Sequence, residues 1–329
     1  MWFWIGFLVL VFILLALDLG VFNRRSHVIS TREAAGWTTL WVSLSLLFSI
    51  FIYFAYENNW LDINHSATPM SGMEAALDYL TGYLVEQSLS MDNIFVIALI
   101  FAYFKVPDQY QHRVLFWGIL GALFFRGIMI AFGIVLIQQF DWIIYVFGAF
   151  LLYSAYKMLT ANEEVHPNKN PTIRLLRRYF PITKSYYGDK FFVKIRQFHA
   201  GTPLFVALVM VETTDIMFAF DSIPAIFAIT TDPFLVFTSN IFAILGLRSL
   251  YFVLANMLNR FIYLKYSLVF ILVFVALKML AHEYVHLPSW LSLVVIFVAL
   301  ASGVIASLMS SAPETDPKEE RVKEAKTEG

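Results

Sequence analysis

A chain of 329 residues that is 59% hydrophobic and 17% aromatic, with only 14% charged residues and a mean hydropathy of +0.69, is too apolar for a soluble globule and reads as a polytopic membrane protein. The absence of cysteine excludes disulfides, iron–sulfur clusters and thiolate metal ligands, so any metal must be held by oxygen or imidazole. The net charge of −1 conceals an uneven distribution and by itself says nothing about nucleic-acid or acidic partners; no nucleic-acid partner is expected.

Apolar runs long enough to span a bilayer fall at about 2–22, 37–56, 77–104, 114–138, 142–160, 203–230, 234–256, 265–282 and 289–309, which predicts an all-α transmembrane bundle of about nine helices in residues 1–310. No basic residue precedes the first run and Arg24 and Arg25 follow it, the polarity of a retained helix with its N-terminus outside and not of a signal peptide. Arg32 after the first run, Lys105 and Arg113 after the third, and Arg260 and Lys265 after the seventh place those loops in the cytoplasm. The opposite loops carry Glu57, Asp62, His65, Glu74 and Asp232 and almost no basic residues. The long loop 161–202 holds Lys169, Arg174, Arg177, Arg178, Lys184, Lys190, Lys194 and Arg196 and is also assigned to the cytoplasm. It reads as a solvated basic loop, with "TIRLLRRYF" suited to anionic headgroups. The tail 311–329 is mixed in charge and poor in apolar groups, and is expected to be disordered and cytoplasmic.

The chain repeats itself. "EQSLSMDNIFVIALIF" from Glu86 aligns with "DIMFAFDSIPAIFAIT" from Asp215, pairing Glu86 with Asp215, Asp92 with Asp221 and Asn93 with Ser222. "WGILGALFFRG" at 117–127 resembles "FAILGLRSLYF" at 242–252, and "AYKMLTANEE" at 155–164 resembles "ALKMLAHEY" at 276–284. Two three-helix units follow, about 77–160 and about 203–283, and the alternation of the spans inverts one against the other, as in alternating-access transporters.

The segment "VETTDIMFAFDSIPAIFAI", 211–229, sets Glu212, Asp215 and Asp221 in an apolar run, where one Asp at the centre of a span costs roughly 2.5–3.5 kcal/mol. Asp18, Glu86 and Asp92 add to the excess, against Arg126 and Arg248 as intramembrane partners. A bundle-locking salt bridge accounts for part of this set; a site for a cation and protons accounts for all of it. On regular helices Glu86, Ser90 and Asn93 share one face and Asp215 and Ser222 another, whereas Asp92 and Asp221 point about 120° away. Pro224 frees the carbonyl of Phe220, so the sixth helix is expected to bend or unwind beside Asp221. Oxygen ligands favour hard ions such as Mn²⁺, Mg²⁺ or Ca²⁺. His282 and His286, at i, i+4 spacing, could hold a metal but are read first as interfacial, His27, His65, His112, His166 and His199 carry no assignment, and Lys157 and Lys278, at equivalent repeat positions, are expected to snorkel.

"EQSLSMDNIFV", "VETTDIMFAFDSIPAIFAIT" and "SNIFAILGLRSLYF" resemble the hallmark segments of the TerC family of bacterial integral membrane proteins, near its Alx-type branch, over about residues 1–310. The resemblance implies three-helix inverted repeats and an association with manganese efflux and homeostasis, alkaline-pH response, tellurite resistance and manganese supply to exported enzymes. Carried over by motif, the metal positions are Glu86, Asp92 and Asn93 in the first repeat and Glu212, Asp215, Asp221 and Ser222 in the second, with Asp18, Arg126 and Arg248 as supporting charge. Family descriptions that speak of redox modulation find no cysteine and no flavin, haem or nicotinamide motif here. The expected activity is Mn²⁺ export across the bacterial inner membrane in exchange for protons, with no bound prosthetic group and no enzymatic step. The alternatives are a Ca²⁺/H⁺ exchanger, and a scaffold that docks on secretion machinery through the 161–202 loop and hands metal to exported proteins.

Overall fold

The computed structural model describes residues 2–20, 30–64, 69–140, 142–160, 176, 178, 180–183, 185–195, 198–255, 263–281, 284 and 287–310. Its helices are α1 (Trp2–Gly20), α2 (Thr31–Glu57), α3 (Gly72–Phe104), α4 (Asp108–Gln139), α5 (Ile143–Thr160), α6 (Pro203–Phe227), α7 (Pro233–Leu254), α8 (Leu264–Leu280) and α9 (Ser289–Ser310). Seven of them, α2 to α7 and α9, are long and apolar enough to cross a membrane. The nine expected helices are therefore all present among the described residues, in the expected order. The 17 residues of α8 reach only about 25 Å at the helical rise.

Several helices begin earlier than their apolar runs because polar residues cap them. Ser30 and Ser71 each accept a hydrogen bond from the backbone N–H of the glutamate three residues on, Glu33 and Glu74, which draws a polar first turn into α2 and α3. Asp232 does the same for α7, accepting from Phe234 N at 2.9 Å and Leu235 N at 3.1 Å, while Pro233 needs no donor at that position. Lys105, in the left-handed region at φ 52°, closes α3, and Pro107 opens the way into α4.

The helix α7 is the axis of the bundle. Its spanning window is 83% buried, against 28% for α4, so α7 faces protein on all sides and α4 turns most of its surface outward. Around it α3 packs on α6 and α7, α4 on α6 and α7, α5 on α8, α2 on α3 and α7, and α9 on α3 and α8. The main contacts among α3 to α8 pair up when α3, α4 and α5 are exchanged with α6, α7 and α8, the α3–α7 contact mapping onto α6–α4, whereas α2, α9 and the smaller α4–α5 and α6–α8 contacts do not follow the exchange. At the α3–α7 crossing, Gly82 leaves its Cβ position 2.9 Å from Ser239 Oγ; any side chain there would push the two helices apart.

Two features differ from the sequence reading. The described part of the 161–202 loop is not simply solvated: β1 (Phe192–Ile195) and β2 (Phe198–Gly201) pair antiparallel. Ile182, Tyr186 and Phe191 pack against the core formed by Ile97, Phe101 and Leu204. The Tyr186 hydroxyl donates to Phe104 O at 2.7 Å, and Arg113 pairs with Asp189. The aromatic and β-branched run "FFVKI" is a strand signal that the basic composition of the loop obscured. Second, α6 stays helical past Asp221 and ends at Phe227. Pro224 sits in the last turn, where few following bonds depend on it, so α6 needs no unwinding at Asp221. The 311–329 tail lies outside the described residues.

Candidate functional site

Four helices bring polar side chains to one buried point. Arg126 of α4 lies between Glu86 of α3 and Asp215 of α6. Its Nη2 donates to Asp215 Oδ1 at 2.8 Å and its Nε to Asp215 Oδ2 at 3.2 Å, a two-pronged contact. Its Nη1 donates to Glu86 Oε1, and also faces Ser222 Oγ and Asn240 Oδ1, each at 3.4 Å. Asn240 Nδ2 of α7 donates to Glu86 Oε2 at 3.0 Å, and Asn93 Nδ2 of α3 donates to Asp215 Oδ1 at 2.9 Å. An ionised carboxylate only accepts, so both amides must turn their NH₂ groups to the acids and their carbonyl oxygens elsewhere. Asn240 Oδ1 faces Arg126; Asn93 Oδ1, buried, has no donor at all.

All six side chains are buried, with Glu86 and Asn240 at 0% exposure. Charges taken this far from water persist only when paired and fully hydrogen-bonded. One guanidinium with five N–H donors meets that demand for two carboxylates. Formally the cluster carries two negative charges and one positive. Asn240 was not among the residues singled out from the motifs; the polar triplet Thr238-Ser239-Asn240 inside an apolar run was the signal for it.

The remaining acidic residues make none of the bonds round Arg126, although Glu212, one turn before Asp215 on α6, lies close enough to feel its charge. Asp221, half-buried on α6, accepts from Ser154 Oγ of α5, with Lys157 nearby. Glu212 lies over Gly121 of α4, where a Cβ would collide with its carboxylate, and its Oε2 has no hydrogen-bond partner. Asp92 is half-buried on α3 and makes none of the bonds round Arg126. Arg248 is buried on α7 with its Nη1 3.2 Å from His112 Nε2 of α4, away from Arg126. Of the expected metal positions the structure thus gathers Glu86, Asn93, Asp215 and Ser222, and leaves Asp92, Glu212 and Asp221 outside. Among the described residues no three of His, Asp or Glu are grouped closely enough to hold a metal ion. The Asp18 side chain, His282 and His286 lie outside the described residues.

Membrane-length helices enclosing a paired charge cluster define a polytopic integral membrane protein with a polar centre. The model of the "Integral membrane protein TerC family" matches residues 71–315, and the chain belongs to that family. The match begins at Ser71, the cap of α3, so the matched part is α3 to α9. The chain is 48% identical over 316 residues to the uncharacterized membrane protein STKORF319 of Myxococcus xanthus, covering 95% of this chain and 94% of that one. It is 48% identical over 305 residues to a Salmonella typhi protein whose printed name is "Putative membrane-bound redox modulator Alx", covering 92% of each chain, and 47% identical over 304 residues to the protein of the same name from Escherichia coli K12, again covering 92% of each. No solved structure gives a significant match.

Proposed function

We propose that the protein exports a divalent cation, Mn²⁺ foremost, across the bacterial inner membrane in exchange for protons. The observation that carries this reading is the Arg126 cluster: two fully buried carboxylates on equivalent helices, α3 and α6, held by one guanidinium at the heart of a membrane bundle. The guanidinium occupies the place of a cation. When it withdraws, Glu86, Asp215, Ser222 Oγ and the carbonyl oxygens of Asn93 and Asn240 form an all-oxygen set, which suits hard divalent ions. Ionised carboxylates bind the metal and protonated ones release it, so an alkaline cytoplasm favours loading and an acidic exterior favours discharge. The paired main contacts between α3–α5 and α6–α8 support rocking of one unit against the other.

Neither α3 nor α6 offers a thiol, and the chain has no cysteine, so the redox role in the relatives' printed name is not carried over. The scaffold reading finds less support, because Leu176, Ile182, Tyr186 and Phe191 of the 161–202 loop pack inward on the bundle, leaving Phe180, Tyr187 and Phe192 exposed. The test is Mn²⁺ accumulation in inside-out vesicles, with and without an imposed pH gradient, beside parallel Ca²⁺ uptake. Gradient-dependent Mn²⁺ uptake that survives neutralising Lys190 and Lys194 supports the exporter. Uptake of Ca²⁺ alone makes it a calcium exchanger, and no flux of either ion favours the scaffold.

A further inference from the structure

A third buried carboxylate, unremarked in the sequence, lies towards the N-terminal end of α3. Asp78 is 4% exposed, and its Oδ1 has no hydrogen-bond partner. It faces Lys278 of α8, Ser289 at the start of α9, Thr230 after α6, and Glu74 one turn back on its own helix. Nearby in the same first turns of α9, Ser292 is 1% exposed and its Oγ also has no partner. Among the described residues no cation comes within salt-bridge distance of Asp78, so its charge is not neutralised as Arg126 neutralises Glu86 and Asp215. Glu74 and Lys278 are the charged side chains that face it; the α8–α9 turn also carries His282, Glu283 and His286, outside the described residues.

Asp78 and Glu86 stand about 12 Å apart along α3 at 1.5 Å per residue. Thr81, Thr238 and Ser239 are buried on α3 and α7, each hydroxyl donating to a backbone carbonyl of its own helix. Gly82 admits Ser239 Oγ against the α3 backbone, and the next residue, Asn240, donates to Glu86. Lys278, snorkelling in the sequence reading, is only half-buried and links this pocket to the surface.

We infer that Asp78, with Lys278 beside it, is the proton-uptake station of the transporter. A proton from the solvent binds Asp78 Oδ1. Protonation removes the uncompensated charge buried between α3, α8 and α9, and the proton is given up again as the two units rock. This rests on the exchange reading proposed above.

The experiment uses the full-length protein in proteoliposomes with Mn²⁺ as the probe, comparing uptake driven by a pH gradient with gradient-free Mn²⁺/Mn²⁺ exchange. Asp78→Asn is expected to lower gradient-driven uptake by about tenfold while exchange stays within about twofold, as for loss of a proton-transfer group. The double variant Asp78→Asn/Lys278→Met, which removes both charges together, is expected to remain uncoupled, and Asp78→Glu to retain coupling. The inference is overturned if Asp78→Asn keeps the wild-type gradient response. It is equally overturned if the double variant regains that response, since Asp78 would then be a charge lock satisfied by balance alone. If Asp78→Asn does not fold, the double variant and Asp78→Glu decide between the same outcomes. A wild type without Mn²⁺ flux would instead bring down the exporter reading itself.

Discussion

The helices α3 and α6 each carry two acidic residues six positions apart, Glu86 with Asp92 and Asp215 with Asp221, yet only the first of each pair reaches Arg126. Six residues along an α-helix leave two side chains about 120° apart, so a regular helix that aims one acid at the centre must aim the other at a neighbour. Asp221 accordingly finds Ser154 on α5. A motif repeated in sequence is therefore not one ligand set: its first acids make the centre, and its second acids face the surrounding helices.

The sharpest way to break that contrast is to remove the shared cation. Arg126→Met should cost about 3–5 kcal/mol, because two carboxylates are left buried and uncompensated. It should be partly rescued by adding Glu86→Gln, as read by thermal unfolding in detergent. A smaller effect separates the two settings by their hydrogen bonds. Asn240→Ala removes a donor from fully buried Glu86 and should cost about 1–3 kcal/mol, while Ser154→Ala, beside half-buried Asp221, should cost about 1 kcal/mol or less because water replaces the lost donor. Equal losses at the two sites would mean that the centre is no more tightly held than its flank.

Much of this was legible in the sequence. Helix order and number followed from hydropathy, because backbone groups in a bilayer must be satisfied within the segment itself. The 100° spacing already separated Glu86 and Asn93 from Asp92. The helix starts were misplaced because Ser30 and Ser71 extend helices through polar turns that a hydropathy window discounts. Two site residues were missed for one reason: Asn240 and Asp78 have no acidic counterpart in the other repeat, so a reading built on paired motifs passed over them. Their positions depend on which faces of α3, α7 and α8 meet, and that is set by tertiary packing. The expected unwinding at Asp221 is not seen because Pro224 lies close enough to the end of α6 for the helix to run on through Asp221 to Phe227.

The central claim is that Glu86 and Asp215, and not Asp92 and Asp221, form the transport site. The most direct measurement is Mn²⁺ uptake by inside-out vesicles carrying Glu86→Gln/Asp215→Asn or Asp92→Asn/Asp221→Asn, at matched amounts of folded protein. The account predicts a loss of about a hundredfold for the first pair, as for metal-site ligands, and a few-fold at most for the second. A first pair that transports as the wild type does, or a second pair that loses as much as the first, would contradict it.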